Sequence, residues 1–321
     1  MIDRVLVRKY VDASTFLFFG LAIALFAFAW VRVWVVSLLD MSQFSTVLDQ
    51  FREFERFAPI EFDSILTYVG RVGMTYDEPV VILCTVIWCF ARGSDVVAGE
   101  LNRGTLEMLL SQPIRRTTLL FSHAVVSIVG LALLNLLVWT GIAVGVRFTS
   151  VEETVRSPTF RIPVVNVDIP LTTADPETVT VPLSERVDPT TFAASTFNLF
   201  AFGFFLLALA TLFSSIERYR WRAIGMTVAV YVIQLVMYGL GKASESLSWL
   251  LSTTFFSCYK PQKMTLIADR HGGDAVWRFA DSPLPDLSPP MWYPMTLIAL
   301  GLVAYGCAAW IFAKRDLPAP V

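Results

Sequence analysis

Residues 99–116 read "GELNRGTLEMLLSQPIRR", and the fold turns on what lies either side of them. Glu100, Arg103, Glu107, Arg115 and Arg116 crowd into this short, helix-prone segment. The chain before it is apolar, "VVILCTVIWCFA" at 80–91, and so is the chain after it, "TTLLFSHAVVSIVGLALLNLLVWTGIAVGV" at 117–146. A charged island between two apolar runs is the pattern of a connection that leaves the bilayer between two crossings.

Composition supports that setting. The chain has 321 residues, of which 55% are hydrophobic and 16% charged, whereas a soluble domain has about a quarter of its residues charged. So few charges cannot give a chain of this length a solvated surface, and a bilayer supplies the missing apolar solvent. The net charge of -2 offers no bulk attraction to nucleic acid. Cys84, Cys89 and Cys307 lie inside apolar runs and Cys258 stands alone, so the four cysteines read as small apolar residues and not as a framework.

A crossing needs about 20 predominantly apolar residues, and six stretches come near it: 14–39, 79–97, 118–146, 192–214, 223–241 and 291–313. The first is too long for a signal-peptide core and has no tidy cleavage site, so it reads as a retained anchor. Arg32 lies close enough to its outer end to snorkel, flanked by Trp30 and Trp34; a gating or substrate role for Arg32 is the sharper alternative. The second stretch is the shortest. Pro79 makes a helix start there, and Arg92 and Asp95 must sit at an interface or in a protein-lined space.

The Lys and Arg residues set the orientation. "RVLVRKY", "RR" at 115–116, "ERYRWR" at 217–222 and "KRD" at 314–316 fall in short connections on one side, and the opposite connections are longer with diluted cations. Positive-inside then puts both termini in the cytoplasm of a multi-pass protein of the cell (inner) membrane.

The chain accordingly divides into an interfacial segment, 1–13, and three crossings over 14–146. The latter carry an outer amphipathic segment at 40–78 and a cytoplasmic loop at 92–117. An extracytoplasmic insert at 147–191 follows, then three more crossings over 192–321 with an outer helical or re-entrant segment at 243–290. Within 41–62, "FSTVLDQFREFERF" spaces Phe44, Val47, Leu48, Phe51 and Phe54 as one face of an amphipathic helix. In the insert, "FRIPVVNVDIPL" and "ETVTVPLSERV" alternate and are parted by "TTADP", which predicts a small β-hairpin turning at that break. The fold class is an all-α polytopic membrane protein with six transmembrane helices, amphipathic outer helices and a small β-like insert.

Much familiar chemistry is missing from the sequence. His123 and His271 are far apart and lack metal-ligand spacing, so no metal site is expected. There is no GxSxG motif and no phosphate-cradling GxxxxGK[ST], so the chain is not expected to be an enzyme or to bind ATP itself. The crossings hold almost none of the carboxylates that ion-coupled carriers place at mid-membrane. Their polar residues are mild. Asn135, Thr140, Asn198 and Gln234 serve either as interhelical hydrogen-bonding groups or as the lining of a substrate path.

In the opening stretch, Gly104 and Thr105 make a break and a candidate N-cap, "LEMLLSQ" gives two helical turns, and Pro113 stops them. Leu106, Leu109 and Leu110 form an apolar face. Such a helix either inserts into a groove on a cytoplasmic partner or lies along the lipid interface.

"GELNRGTLEMLLSQPIRRTTLLFSH" resembles the signature of ABC-2 type ABC transporter permeases. The match occupies Glu100, Arg103, Gly104, Thr105, Leu106, Glu107, Leu109, Leu110, Pro113 and Arg116, and the chain end "WIFAKRDLPAP" is similar to the last crossing and tail of such permeases. The resemblance implies that these residues contact a separate ATPase subunit, which carries the ATP and Mg, with no cofactor in this chain. It also implies that "MIDRVLVRKYVD" lies along the inner face, and that the permease works as a dimer with an identical or related chain in the lipid bilayer. The function it implies is that of a permease subunit of an exporter. The long outer segments keep open another reading: an ATPase-coupled scaffold or mechanotransmitter that acts on an extracytoplasmic partner without moving a solute. On the topology above, a protease added outside intact cells cuts within 147–190; cleavage at 92–117 instead would invert it.

Overall fold

The computed structural model describes residues 3–38, 67–110, 115–154, 159–162, 167–170, 178–280, 282 and 288–315. The amphipathic helix expected over 41–62 lies outside the described residues, as does the "TTADP" break at 172–176. Among the described residues, six helical segments are long and apolar enough to cross a membrane: Arg4–Ser37, Tyr68–Gly93, Arg116–Phe148, Pro189–Ile216, Arg220–Ala243 and Trp292–Lys314.

The first helix, α1 (Arg4–Ser37), begins well before the apolar run. Asp3 caps it, its carboxylate accepting from the amides of Val5 at 2.8 Å and Leu6 at 3.3 Å, which satisfies two of the donors every helix start leaves over. Residues 4–13 are thus continuous with the first crossing. The short second crossing is completed from upstream: α2 (Tyr68–Gly73), a 3-10 turn (Met74–Asp77) and α3 (Pro79–Gly93), with Pro79 in the first helical turn as its missing N–H allows. Two short helices follow, α4 (Glu100–Asn102) and α5 (Thr105–Leu110), and then the third crossing, α6 (Arg116–Phe148).

The insert differs from a single hairpin turning at 172–176. Strand β2 (Thr159–Ile162) pairs antiparallel with β3 (Val167–Pro170), and β1 (Ser150–Thr154) pairs antiparallel with β4 (Thr178–Pro182). "FRI" and "VDIP", which alternate as one strand would, face each other instead, since strands so near in sequence pair at little loop-closure cost. β1 was not foreseen as a strand; it takes the partner that β4 would otherwise lack.

The last three crossings are α7 (Ala193–Ile216), α8 (Arg220–Ala243) and α10 (Trp292–Lys314), with α9 (Pro261–His271) in the connection before α10. α7 is the centre of the bundle: fifteen of its residues are buried, whereas on α8 only Ala223, Thr227 and Gly241 are. The 3-10 segment Glu245–Ser252 packs on α8, and a second, Phe255–Cys258, and α9 return the chain to α7. Phe202 packs among Phe255, Phe256 and Tyr259. Asn198 clamps the returning chain, donating to the Cys258 carbonyl at 3.0 Å and accepting from the Lys260 amide at 2.9 Å.

Small residues let α1 and α6 approach closely, as membrane helices do where no hydrophobic effect drives them together. A Cβ on Gly141 would stand 2.8 Å from the backbone oxygen of Phe26 and 2.9 Å from the Ala29 Cβ. Gly141→Val therefore forces the pair apart at a cost of about 1–3 kcal/mol and lowers the thermal unfolding midpoint in detergent. Gly20→Ala, where a Cβ meets nothing within 4 Å, leaves the midpoint unchanged or raises it.

Candidate functional site

The helix α3 cannot continue unchanged past Gly93. A Cβ at that residue would meet the Ala210 Cβ at 2.5 Å and the Leu207 oxygen at 2.8 Å, so α3 presses directly against α7. Beyond it the chain widens into a π turn, Asp95–Gly99, a geometry that strands backbone amides. Ser214 of α7 takes them up. Its hydroxyl accepts from the amides of Val97 at 3.2 Å and Ala98 at 3.0 Å and donates to the Ser94 carbonyl at 2.9 Å, which uses its one donor and both acceptor positions. Gly99 is small because the Asp95 carboxylate folds back over it: a Cβ there would stand 2.3 Å from Asp95 Oδ1. Gly104, at φ +69°, makes the left-handed turn that ends α4 and starts α5.

This backbone gathers charges from four parts of the chain. Lys9 of α1 donates to both Glu100 oxygens at 2.9 Å. Arg103 donates to Asp95 at 2.8 Å and 3.3 Å, and to Glu100 at 3.1 Å. Arg220, the first residue of α8, lies 3.3 Å from Asp95, and the Thr105 hydroxyl donates to the Glu100 carboxylate. Glu100 is only 1% exposed, and a carboxylate so deeply buried is tolerated only when paired and hydrogen-bonded. The bonds to Asp95, ahead of the charge of Glu100, push the Arg103 pKa up from its ordinary value, so the guanidinium stays charged. Beside this cluster a cavity of about 360 Å³ opens, with Tyr10 and Arg92 in its wall.

Other bonds tie the same face together. The Asp3 amide donates to the Ser122 hydroxyl at 3.2 Å, and Arg220 to the Ala91 carbonyl at 3.0 Å. Arg116 donates to the Arg315 carbonyl, and Arg315 in turn to the carbonyls of Ser215 at 2.9 Å and Glu217 at 3.1 Å. The start of α1 and the end of α10 therefore meet the 93–116 and 217–220 connections on one side of the bundle.

Of the residues singled out in the opening stretch, Glu100, Arg103 and Thr105 come together in the cluster. Leu106 is fully buried and anchors α5, whereas Met108 on the same helix is 72% exposed. The side chains of Glu107, Leu109 and Leu110, and the whole of Pro113, lie outside the described residues. Arg116 is used internally, on α10. Sequence reasoning passed over Lys9 and Arg220, which it counted only as orienting cations, and Ser214; each meets its partners across 91 or more positions. Arg92 and Asp95 were flagged as needing an interface or a protein-lined space, and both are buried in one.

On the opposite side, Arg32 Nε pairs with Glu78 at 2.9 Å, and Trp30 and Trp34 are exposed. A larger cavity, about 1060 Å³, has an apolar wall that includes Ile82, Leu83 and Leu235 and a polar end that includes Asp77, Lys242 and Lys260. The last of these has its pKa lowered, chiefly by burial. Asn135, Thr140, Asn198 and Gln234 do not line this cavity. Asn135 and Thr140 bond to carbonyls of their own helix, at 2.7 Å and 3.1 Å, Asn198 forms the clamp described above, and the side-chain oxygen of Gln234 is buried without a partner.

The family described as ABC-2 family transporter protein matches residues 7–317, and no curated protein matches. The chain belongs to the ABC-2 transporter family. It is a multi-pass membrane protein and a permease subunit of an ABC transporter, a class whose members generally pair with an ABC ATPase subunit.

Glu100→Gln keeps the side-chain shape but removes the charge that Lys9 and Arg103 share. The expected loss is about 1–3 kcal/mol, read as a lower thermal midpoint in detergent than that of Asp12→Asn on the exposed side of α1. Equal midpoints would mean that the cluster does not hold this face together.

Proposed function

We propose that this chain is the permease subunit of an exporter of the cell (inner) membrane. Both termini are cytoplasmic, and a separate ATPase subunit carrying ATP and Mg docks on the 92–117 loop. The observation that carries the reading is the ion-paired cluster, because it makes the loop, α1 and α8 one mechanical unit. A load applied to α5 passes through Thr105 and Glu100 to Lys9, and through Arg103 and Asp95 to Arg220, and so reaches two crossings at once. Nucleotide-driven closure of two ATPase subunits would displace such docked loops and tilt the crossings attached to them.

The contact surface we assign to the ATPase is Glu107, Leu109, Leu110 and the exposed Met108 of α5, flanked by Pro113. Glu100, Arg103, Gly104, Thr105, Leu106 and Arg116 set its position from beneath. A second permease chain, identical or related, completes the transporter. α8, the least covered crossing, leaves Val228, Val232 and Val236 exposed to such a chain or to lipid. Asn135, Thr140, Asn198 and Gln234 act as structural hydrogen-bonding groups in this scheme, with the side-chain oxygens of Asn135 and Gln234 retaining open acceptor positions among the described residues. The large outer cavity, apolar along one wall and charged at one end, suits an amphipathic cargo.

Leu109→Asp with Leu110→Asp should abolish co-purification of the ATPase while leaving membrane insertion intact. Reconstituted vesicles holding the intact pair should move solute only when ATP is supplied. Undiminished co-purification of the double variant would count against docking by α5, and ATP turnover with no solute movement would count against export.

A further inference from the structure

We infer that the 360 Å³ cavity beside the charge cluster is a binding site for a phospholipid headgroup phosphate, supplied by the leaflet on the side of the chain termini. Its lining includes four cations, Lys9, Arg92, Arg103 and Arg220, against two carboxylates, Asp95 and Glu100, which leaves two positive charges in excess. The carboxylates are already engaged: Glu100 by Lys9, Arg103 and Thr105, and Asp95 by Arg103 and Arg220. Arg92 is the cation left over. It is 4% exposed, and among the described residues its side chain makes a long 3.4 Å contact to the Tyr10 carbonyl while its Nε has no partner. Tyr10, 1% exposed, also lines the cavity, and its hydroxyl has no partner among the described residues either. A buried guanidinium and a buried hydroxyl with donors to spare require an acceptor. An anionic oxygen is the acceptor that also answers the excess charge.

The membrane supplies the phosphate. Trp30 and Trp34 are exposed aromatics of the kind that mark an interface. Counting back the roughly 20 residues that span the hydrocarbon core arrives near residues 10–14 of α1, level with Tyr10 and Ala13 in the cavity wall. The cavity therefore opens at headgroup depth. Its remaining wall, Ala13, Leu17 and Ala91, is apolar, and Phe16 and Phe19 beside it are exposed on α1, where acyl chains would run. Lipid bound there bridges α1, α3 and α8, and adds to the cluster the one ligand that Arg92 lacks.

The inference rests on the membrane setting alone and not on docking of the ATPase, so either can fail without the other. The test is native mass spectrometry of the full-length protein released from detergent, with phosphatidylglycerol, diacylglycerol and inorganic phosphate as probes. Phosphatidylglycerol is expected to stay bound and diacylglycerol, with the same tails but no phosphate, to leave. Inorganic phosphate in millimolar excess should not compete. Arg92→Gln should weaken phosphatidylglycerol about tenfold, on the order of one lost charge-assisted hydrogen bond. Ala13→Phe at the exposed mouth should do the same by filling space without removing a charge. Equal retention of diacylglycerol, displacement by inorganic phosphate, or two folded variants that bind like the wild type would each overturn the assignment.

Discussion

Burial of Glu100 is the constraint on which the rest of this structure depends. A carboxylate 1% exposed at the end of a membrane bundle costs several kcal/mol unless cations reach it, and they come both from its own loop and from a part of the chain 91 positions away. Lys9 arrives because α1 starts at Arg4, well ahead of its apolar run, and Arg103 because Gly104 turns the chain immediately after it. Arg220 completes the arrangement through Asp95. The charges thus determine which helix ends meet. Lipid-facing packing alone is weakly directional by comparison, since hydrocarbon tails solvate an apolar helix as well as another helix does.

The two sides of the bundle are built on different principles. On the side of the termini, ion pairs and the Arg116 and Arg315 bonds to carbonyls lock helix ends in register. On the other side, aromatic packing around Phe202 and the Asn198 clamp hold the returning chain around Phe255–Lys260 against α7. A charged base and an aromatic cap joined by long helical crossings suit the transmission of displacement from one side to the other. In the proposed exporter the base receives it and the cap, with its 1060 Å³ cavity, responds.

How far the sequence disclosed this depended on the range of the interaction. The six crossings were legible because apolar length is a local property, and the family resemblance was legible because "RGTLE" and its neighbours are contiguous. The hairpin was legible as β structure but not in its pairing, since alternation reveals a strand without naming its partner. β1, with the short sequence "SVEET", carried no signal strong enough to be read. Within the site, Glu100 and Arg103 were readable as a charged pair in an odd place. Lys9, Ser214 and Arg220 were not, because one ion pair spans 91 positions and the hydroxyl contacts span more than a hundred. Each of them sits in a run with another evident purpose: orienting cations for the first and last, and an ordinary helix end for the serine. Arg92 and Asp95 lie between these cases, visible as misfits in an apolar stretch but silent about what would satisfy them.

The most direct test of the account is a pair of spin-label distances in the permease–ATPase complex, with and without ATP. One pair joins Arg8 on α1 to Met108 on α5, both exposed on the terminal side; the other joins Met108 to Trp249, exposed on the far side. If the cluster makes the loop and α1 one body, ATP leaves the first distance unchanged and alters the second. A first distance that changes while the second stays fixed would mean that the loop moves alone, and the mechanical unit described here would not exist.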